Sequence, residues 1–181
     1  ACDVVILDLE DAVAPEAKET ARMQAVEAVK AGGFGRREVV IRVNGLDTPW
    51  GADDLAIAAG ADADAILVPK VSSAADVKAY DAAMEKAPAG TKLWAMIETC
   101  AALFALNEIA ATAKNTRLTT WAMGTNDLAK EMRCHQTADR APFWGPLSLS
   151  VAAARAHGLT ILDGVHNDIE NVESLVAVCE Q

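Results

Sequence analysis

Six short apolar runs of strand length are spaced along the chain, separated by stretches where apolar residues return every three or four positions. The runs are "VVILDL" at 4–9, "EVVIRV" at 38–43, "AILVPK" at 65–70, "KLWAMI" at 92–97, "TTWAMG" at 119–124 and "LTILDG" at 159–164. Amphipathic helices are predicted at roughly 16–31, 51–59, 72–86, 99–113, 146–157 and 169–180, and "LAKE" at 128–131 also reads as helical. Most runs begin about 26–34 residues apart, the length of one βα unit. The last interval is longer because "MRCHQTADRAPFWGP" intervenes at 132–146 and reads as a surface loop.

Strands buried on both faces and alternating with helices predict a parallel sheet in an α/β protein. Two architectures compete, a doubly wound open sheet and a TIM (β/α)₈ barrel. The position of polar residues separates them. Each run ends in polar groups: Asp8, Glu10 and Asp11; Arg42 and Asn44; Lys70; Glu98; Asn126 and Asp127; Asp163, His166 and Asp168. An open sheet gathers ligands at its switch point, whereas every barrel strand ends at one shared mouth. Polar groups at six successive strand ends favour the barrel. Six of the eight βα units are visible, and 181 residues is short of the roughly 250 such a barrel uses. The expectation is a single barrel domain over 1–181, truncated at both ends, with the first and last strands outside this sequence.

Composition narrows the function. At 52% hydrophobic the chain can bury a sizeable core, and no apolar run approaches the roughly 18–20 residues of a membrane span. A net charge of -10 and a pI near 4.7 argue against nucleic acid as a partner but allow an anionic small ligand in a locally positive pocket. Cys2, Cys100, Cys134 and Cys179 are scattered with no metal-ligand or redox spacing, so a reduced, cytoplasmic setting is expected. Neither a dinucleotide nor a P-loop glycine fingerprint is present.

The chemistry-bearing candidates sit at the strand ends. Glu98 follows "LWAMI" and Asp127 follows "AMGTN", at matched positions on neighbouring units. Two hard carboxylates there suit Mg²⁺, which takes one or two carboxylates and completes its octahedron with water and substrate oxygens. The competing reading makes each a helix-start acid. "LDLEDAV" places Asp8, Glu10 and Asp11 within four positions, either as helix-start acids or as supports that orient metal-bound water or an arginine. Asp8 and Glu10 share one strand-period side, so only part of the trio is expected to face the site. Arg42 alternates with Ile41 and Val43, which points its fork into the barrel interior to bind a carboxylate or a developing oxyanion, or to pair structurally with Asp8 or Glu10. Lys70 is a solvated strand-end lysine, part of an anionic pocket or a Schiff-base former, and His166 is the one histidine at a plausible strand end.

Taken together, "DVVILDLEDAV", "VIRVNGLDTPWG", "DAILVPKVSSAADV", "LWAMIET", "MGTNDLAKE" and "ARAHGLTILDGVHND" resemble the citrate lyase β-subunit-like and malyl-CoA lyase family, Mg²⁺-dependent acyl-CoA lyases on a TIM barrel. The similarity runs essentially end to end, specific for the family and much less so for the substrate. The resemblance implies that Glu98 and Asp127 ligate Mg²⁺ and that Arg42 contacts the 2-oxo acid portion or the enolate oxygen. It further implies that Asp8 and Asp11 support the site, and that backbone groups of Gly124, Thr125 and Asn126 hold the acid's carboxylate. The implied reaction splits a 3-hydroxyacyl-CoA of the malyl-CoA or citryl-CoA type into an acyl-CoA and a 2-oxo acid, in a homo-oligomer, trimer or hexamer. The family's closing "IHP" strand, and a C-terminal segment that completes a neighbouring subunit's site, have no counterpart here.

Three alternatives stay open at this level. One is thioester hydrolysis on the same fold, as in a malyl-CoA thioesterase. Another is a CoA-independent, metal-dependent aldolase of 2-oxo acids, and the third a non-catalytic lyase subunit. The loop at 132–146, carrying Phe143 and Trp144, is expected either to close over the site or to be an Ω-like surface loop.

Overall fold

The computed structural model describes residues 2–181. The apolar runs form six strands: β1 (Val4–Asp8), β2 (Glu38–Arg42), β3 (Ala65–Val68), β4 (Lys92–Ile97), β5 (Leu118–Met123) and β6 (Thr160–Leu162). They pair in parallel and in strictly sequential order, β1 beside β2 through to β5 beside β6. A doubly wound sheet reverses its strand order at a switch point. No reversal occurs among the described strands, so the sheet progresses in one direction, as in a partial barrel of the α/β class.

Helices α1 (Lys18–Ala31), α2 (Gly51–Ala59), α3 (Ala74–Ala83), α4 (Cys100–Ala111), α5 (Thr125–Met132), α6 (Trp144–His157) and α7 (Val172–Glu180) follow the strands. Their starts have local causes. Ser73 accepts the Asp76 N–H at the head of α3, Thr99 the Ala102 N–H at α4, and Asn171 the Ser174 N–H at α7. Strand β3 stops at Val68 because Pro69 has no N–H to continue the ladder. The segment read as a long loop is shorter than expected, since α6 begins at Trp144. Phe143 is 1% exposed and packs with Leu128 and Ala129, so it anchors the loop to α5 and is not free to close over a site. None of the described helices is long and apolar enough to cross a membrane.

The strand period of two divides the sheet into two faces. Ile41, Val43, Ile66, Val68, Leu93, Ala95, Ile97, Trp121 and Met123 pack against the helices in the main core. The opposite face carries Val40, Ala65, Leu67, Trp94, Met96 and Ala122. Arg42 lies on the same side as Val40, and Glu98 on the same side as Trp94 and Met96. The second face therefore turns from apolar to charged where the strands end.

Candidate active site

At the β1–β2 corner, strand register sets Asp8 directly opposite Arg42. The guanidinium grips the carboxylate with both prongs: Nε donates to Oδ1 at 2.7 Å and Nη2 to Oδ2 at 2.5 Å. Nη1 lies 2.9 Å from Glu10 Oε2 and 3.7 Å from Asp11 Oδ2, so all three acids of "LDLED" converge on one arginine. Strand alternation had allowed only part of the trio to face it. The chain leaves the strand after Asp8 and turns, with Val13 N–H donating to Glu10 O, and alternation no longer applies. Burial opposes ionisation of Asp8, but the Arg42 fork and the N–H groups of Glu10 and Ala12 hold its carboxyl below the usual range. Burial pushes Glu10 the other way, up to about 7, with the charges of Glu98 and Asp11 adding to it and Arg42 opposing. Its Oε2 is buried and close to Arg42 but has no aligned hydrogen bond among the described residues. Arg42 itself is driven further towards the protonated form by these acids, against the cost of its burial.

At the β4–β5 corner the balance is reversed. Glu98 is 2% exposed, and its Oε1 accepts the Lys70 N–H at 2.8 Å. Lys70 reaches that position with a positive φ of 52°, a conformation unfavourable for a side-chain-bearing residue, and the β3–α3 turn is pinned by Ser72 Oγ against Thr99 Oγ1 at 2.8 Å. Among the described residues no hydrogen bond reaches Glu98 Oε2. Burial raises the Glu98 carboxyl above its ordinary range and the charge of Asp127 raises it further; the Lys70 N–H, Arg42 and Lys70 oppose. Asp127, in the first turn of α5, has one side-chain partner among the described residues, Lys130 Nζ at 2.6 Å. Gly124 makes room for Glu98: a Cβ there would overlap Glu98 Cβ and sit 2.5 Å from Oε2. Its N–H is spent on Ile97 O at 3.0 Å. That leaves the amides of Thr125, Asn126 and Asp127, which lack intrahelical acceptors, as the backbone donors at this helix start.

The buried Glu98, with one oxygen lacking a hydrogen bond among the described residues and its carboxyl raised above the ordinary range, and the half-buried Asp127 form a donor set suited to a hard divalent cation such as Mg²⁺. No group of three or more His, Cys, Asp or Glu suited to a metal occurs among the described residues, which argues against a closed transition-metal site. The remaining strand-end groups serve each other. Arg140 grips Asp163 through both prongs, at 2.7 and 2.5 Å, and His166 Nε2 lies 2.9 Å from Ser174 Oγ. Asn126, Asn167 and Gln136 form a chain of amides.

Sequence reasoning missed a buried polar cluster behind the Arg42 corner. Arg22 donates to Asp54 at 2.6 Å, Asn44 donates to Asp54 through both N and Nδ2, and Lys18 Nζ donates to Leu9 O, Glu10 O and Asn44 Oδ1. The signal was present in α1, where Lys18, Arg22 and Ala25 fall at i, i+4 and i+7 on the buried stripe.

Comparison with known proteins agrees with this architecture. The model of the HpcH/HpaI aldolase/citrate lyase family matches residues 1–181. The chain is 48% identical over 180 residues to a (3S)-malyl-CoA thioesterase of Cereibacter sphaeroides, spanning 99% of this chain and 61% of that protein. It is 37% identical over 203 residues to an L-malyl-CoA/beta-methylmalyl-CoA lyase of the same species, spanning 98% of this chain and 63% of that protein. The chain thus spans about three-fifths of the length of these curated relatives. Among solved structures, RipC from Yersinia pestis superposes with a TM-score of 0.83 at 29% identity, over 98% of this chain and 76% of that one. The CitE protein of Mycobacterium tuberculosis in complex with magnesium and pyruvate gives 0.79 at 32% identity, over 98% and 70%. The chain belongs to the HpcH/HpaI aldolase/citrate lyase family.

Proposed function

We propose that the full-length protein is a Mg²⁺-dependent enzyme acting on a malyl-CoA-type thioester, and that its principal outcome is hydrolysis to free CoA and the hydroxy acid. The observation that carries the reading is the pairing of Glu98 and Asp127 at one corner with the acid-held Arg42 fork two strands away, on the same sheet face. The thioesterase relatives, at higher identity than the lyases, support hydrolysis over carbon–carbon cleavage. The full-length fold in this reading is an eight-unit (β/α)₈ barrel of which these are six units, assembled as a homo-oligomer.

Glu98 and Asp127 would hold the ion, and Mg²⁺ bound there supplies a Lewis acid that polarises a chelated substrate oxygen. Arg42, fixed by Asp8 and flanked by Glu10 and Asp11, presents positive charge where negative charge develops on the attacked carbonyl. The Thr125 and Asn126 amides orient the acid's carboxylate. Glu10, with a proton affinity near neutrality, can take up a proton beside Arg42 as water adds to the thioester. Water adds to the carbonyl, the C–S bond breaks, and the thiolate leaves with a proton as CoA.

The lyase outcome is the second reading, favoured by the 37%-identical relatives. There the hydroxyl proton is lost, the C–C bond breaks, and the acyl-CoA carbon is reprotonated. Incubating the full-length protein with malyl-CoA and Mg²⁺ separates the two. Free CoA and malate in equal amounts are expected; glyoxylate with acetyl-CoA would overturn hydrolysis in favour of cleavage.

A further inference from the structure

Lys18 lies at the start of α1, 6% exposed, where a helix lysine would ordinarily be solvated. Its Nζ has three N–H donors and meets three acceptors: Leu9 O at 2.8 Å, Glu10 O at 2.6 Å and Asn44 Oδ1 at 2.9 Å. Two of these are the main-chain carbonyls of the turn that carries Glu10 and Asp11, just after Asp8. The third belongs to the residue two positions beyond Arg42. Asn44 closes the circuit by donating Nδ2 to Leu9 O at 2.8 Å and to Asp54 Oδ2 at 2.5 Å, and Arg22 holds the other oxygen of Asp54 at 2.6 Å. Trp50 covers the lysine, its ring centroid 5.3 Å from Nζ. Thus one atom ties the β1–α1 and β2–α2 turns together beneath the acids that grip Arg42.

We propose that Lys18 is a positioning residue for Arg42: by fixing the Leu9 and Glu10 carbonyls it sets the places of Asp8, Glu10 and Asp11, and through them the direction of the guanidinium. This role rests on the reading of Arg42 as the substrate-facing charge. Without the lysine, Asn44 Oδ1 loses its donor, and the Leu9 and Glu10 carbonyls each keep one N–H, from Asn44 Nδ2 and from Val13, so the two turns are no longer tied through a common atom. Arginine cannot replace it, because a planar fork does not meet three acceptors converging on a point.

Phenylglyoxal labelling of full-length protein, read peptide by peptide by mass spectrometry, tests this with an internal control. Arg140 is also held bidentately by one acid, and its side chain is 14% exposed against 15% for Arg42, but it lies at the β6 corner away from Lys18. In Lys18→Met, labelling of Arg42 is expected to accelerate about tenfold while that of Arg140 is unchanged. KM for malyl-CoA should rise by a similar factor, and the Mg²⁺ half-saturation should stay within about twofold. Equal acceleration at both arginines, no acceleration at Arg42, or an unchanged KM would overturn the proposal. If Lys18→Met does not fold, Lys18→Arg is judged by the same outcomes. Labelling needs no turnover: an inactive wild type would sink the functional reading and leave the comparison of arginines to decide this one.

Discussion

The β1–β2 and β4–β5 corners both end in acidic side chains on the same sheet face, yet they are opposite electrostatic objects. At the first, three acids share one guanidinium and a set of backbone N–H groups. At the second, two acids have one backbone N–H and one lysine between them, and Glu98 is held in a buried place where its charge is unfavourable. A closed corner orients; an open one has capacity for a cation. The difference teaches that acidic residues at strand ends are not equivalent ligand candidates. What matters is whether the fold has already supplied a partner of opposite charge.

The largest effect should come from removing the capacity of the open corner. Asp127→Asn or Glu98→Gln each deletes one anionic oxygen donor while keeping the side chain's shape. Partners one step removed from a metal cost about 10–100-fold when mutated, so loss of a ligand should exceed about a hundredfold in Mg²⁺-dependent turnover, with little change in unfolding temperature. Steady-state rates across a Mg²⁺ titration check this. Near-full activity in either variant would return that residue to a helix-start role.

Arg42→Lys attacks the closed corner and is expected to lower kcat/KM by about 10²–10³, since a point charge can satisfy Asp8 or Glu10 but not both prongs of the present arrangement. Unchanged kinetics would make Arg42 a structural counter-ion. Gly124→Ala sharpens the comparison without touching any charge. The added methyl would overlap Glu98 Cβ and lie 2.5 Å from Oε2, so Glu98 must move while Arg42 stays in place. Calorimetric Mg²⁺ affinity should fall about tenfold, with labelling of Arg42 unaffected. Equal Mg²⁺ affinity in the two proteins would remove Gly124 from the account.

How much of this was legible in the sequence follows from range. The strands, their parallel pairing and the strand-end positions of Glu98, Asp127 and Arg42 are dictated by local period and punctuation, and the sheet order followed from polar groups at six successive ends. A pairing of Arg42 with Asp8 or Glu10 was legible, but the convergence of both, with Asp11 as a third, was not, because it depends on a turn that breaks alternation one residue after the strand. Nor was the inward path of Lys18, although its place on the stripe with Arg22 and Ala25 offered a hint that two cations at core positions require buried acceptors. Phe143 was misplaced for a related reason: an aromatic in a polar loop looks exposed until α5 supplies Leu128 and Ala129 beneath it. Which partner a long side chain chooses is a long-range property, and period carries no record of it.

The smallest expected effect concerns the proton on Glu10. Its carboxyl is raised from 4.5 to about 7 in the folded protein, so the native state binds more protons than the unfolded chain between those values. Stability from this group is complete below about 4.5 and is lost as pH rises through about 7; the raised Glu98 acts in the same direction, whereas the lowered Asp8 and Asp163 act in the acid range below 3.8. Solvent reaches part of the Glu10 side chain and discounts the effect to about 1 kcal/mol, or roughly 2–4 °C in unfolding temperature for a chain of this size. In Mg²⁺-free buffer, melting temperature should therefore fall between about pH 5 and pH 8, and Glu10→Gln should flatten that fall. Glu98→Gln in the same assay isolates the open corner's share. Parallel profiles for wild type and Glu10→Gln would mean that Arg42 neutralises Glu10 as completely as it does Asp8, and the closed corner would then hold no proton to give or take near neutrality.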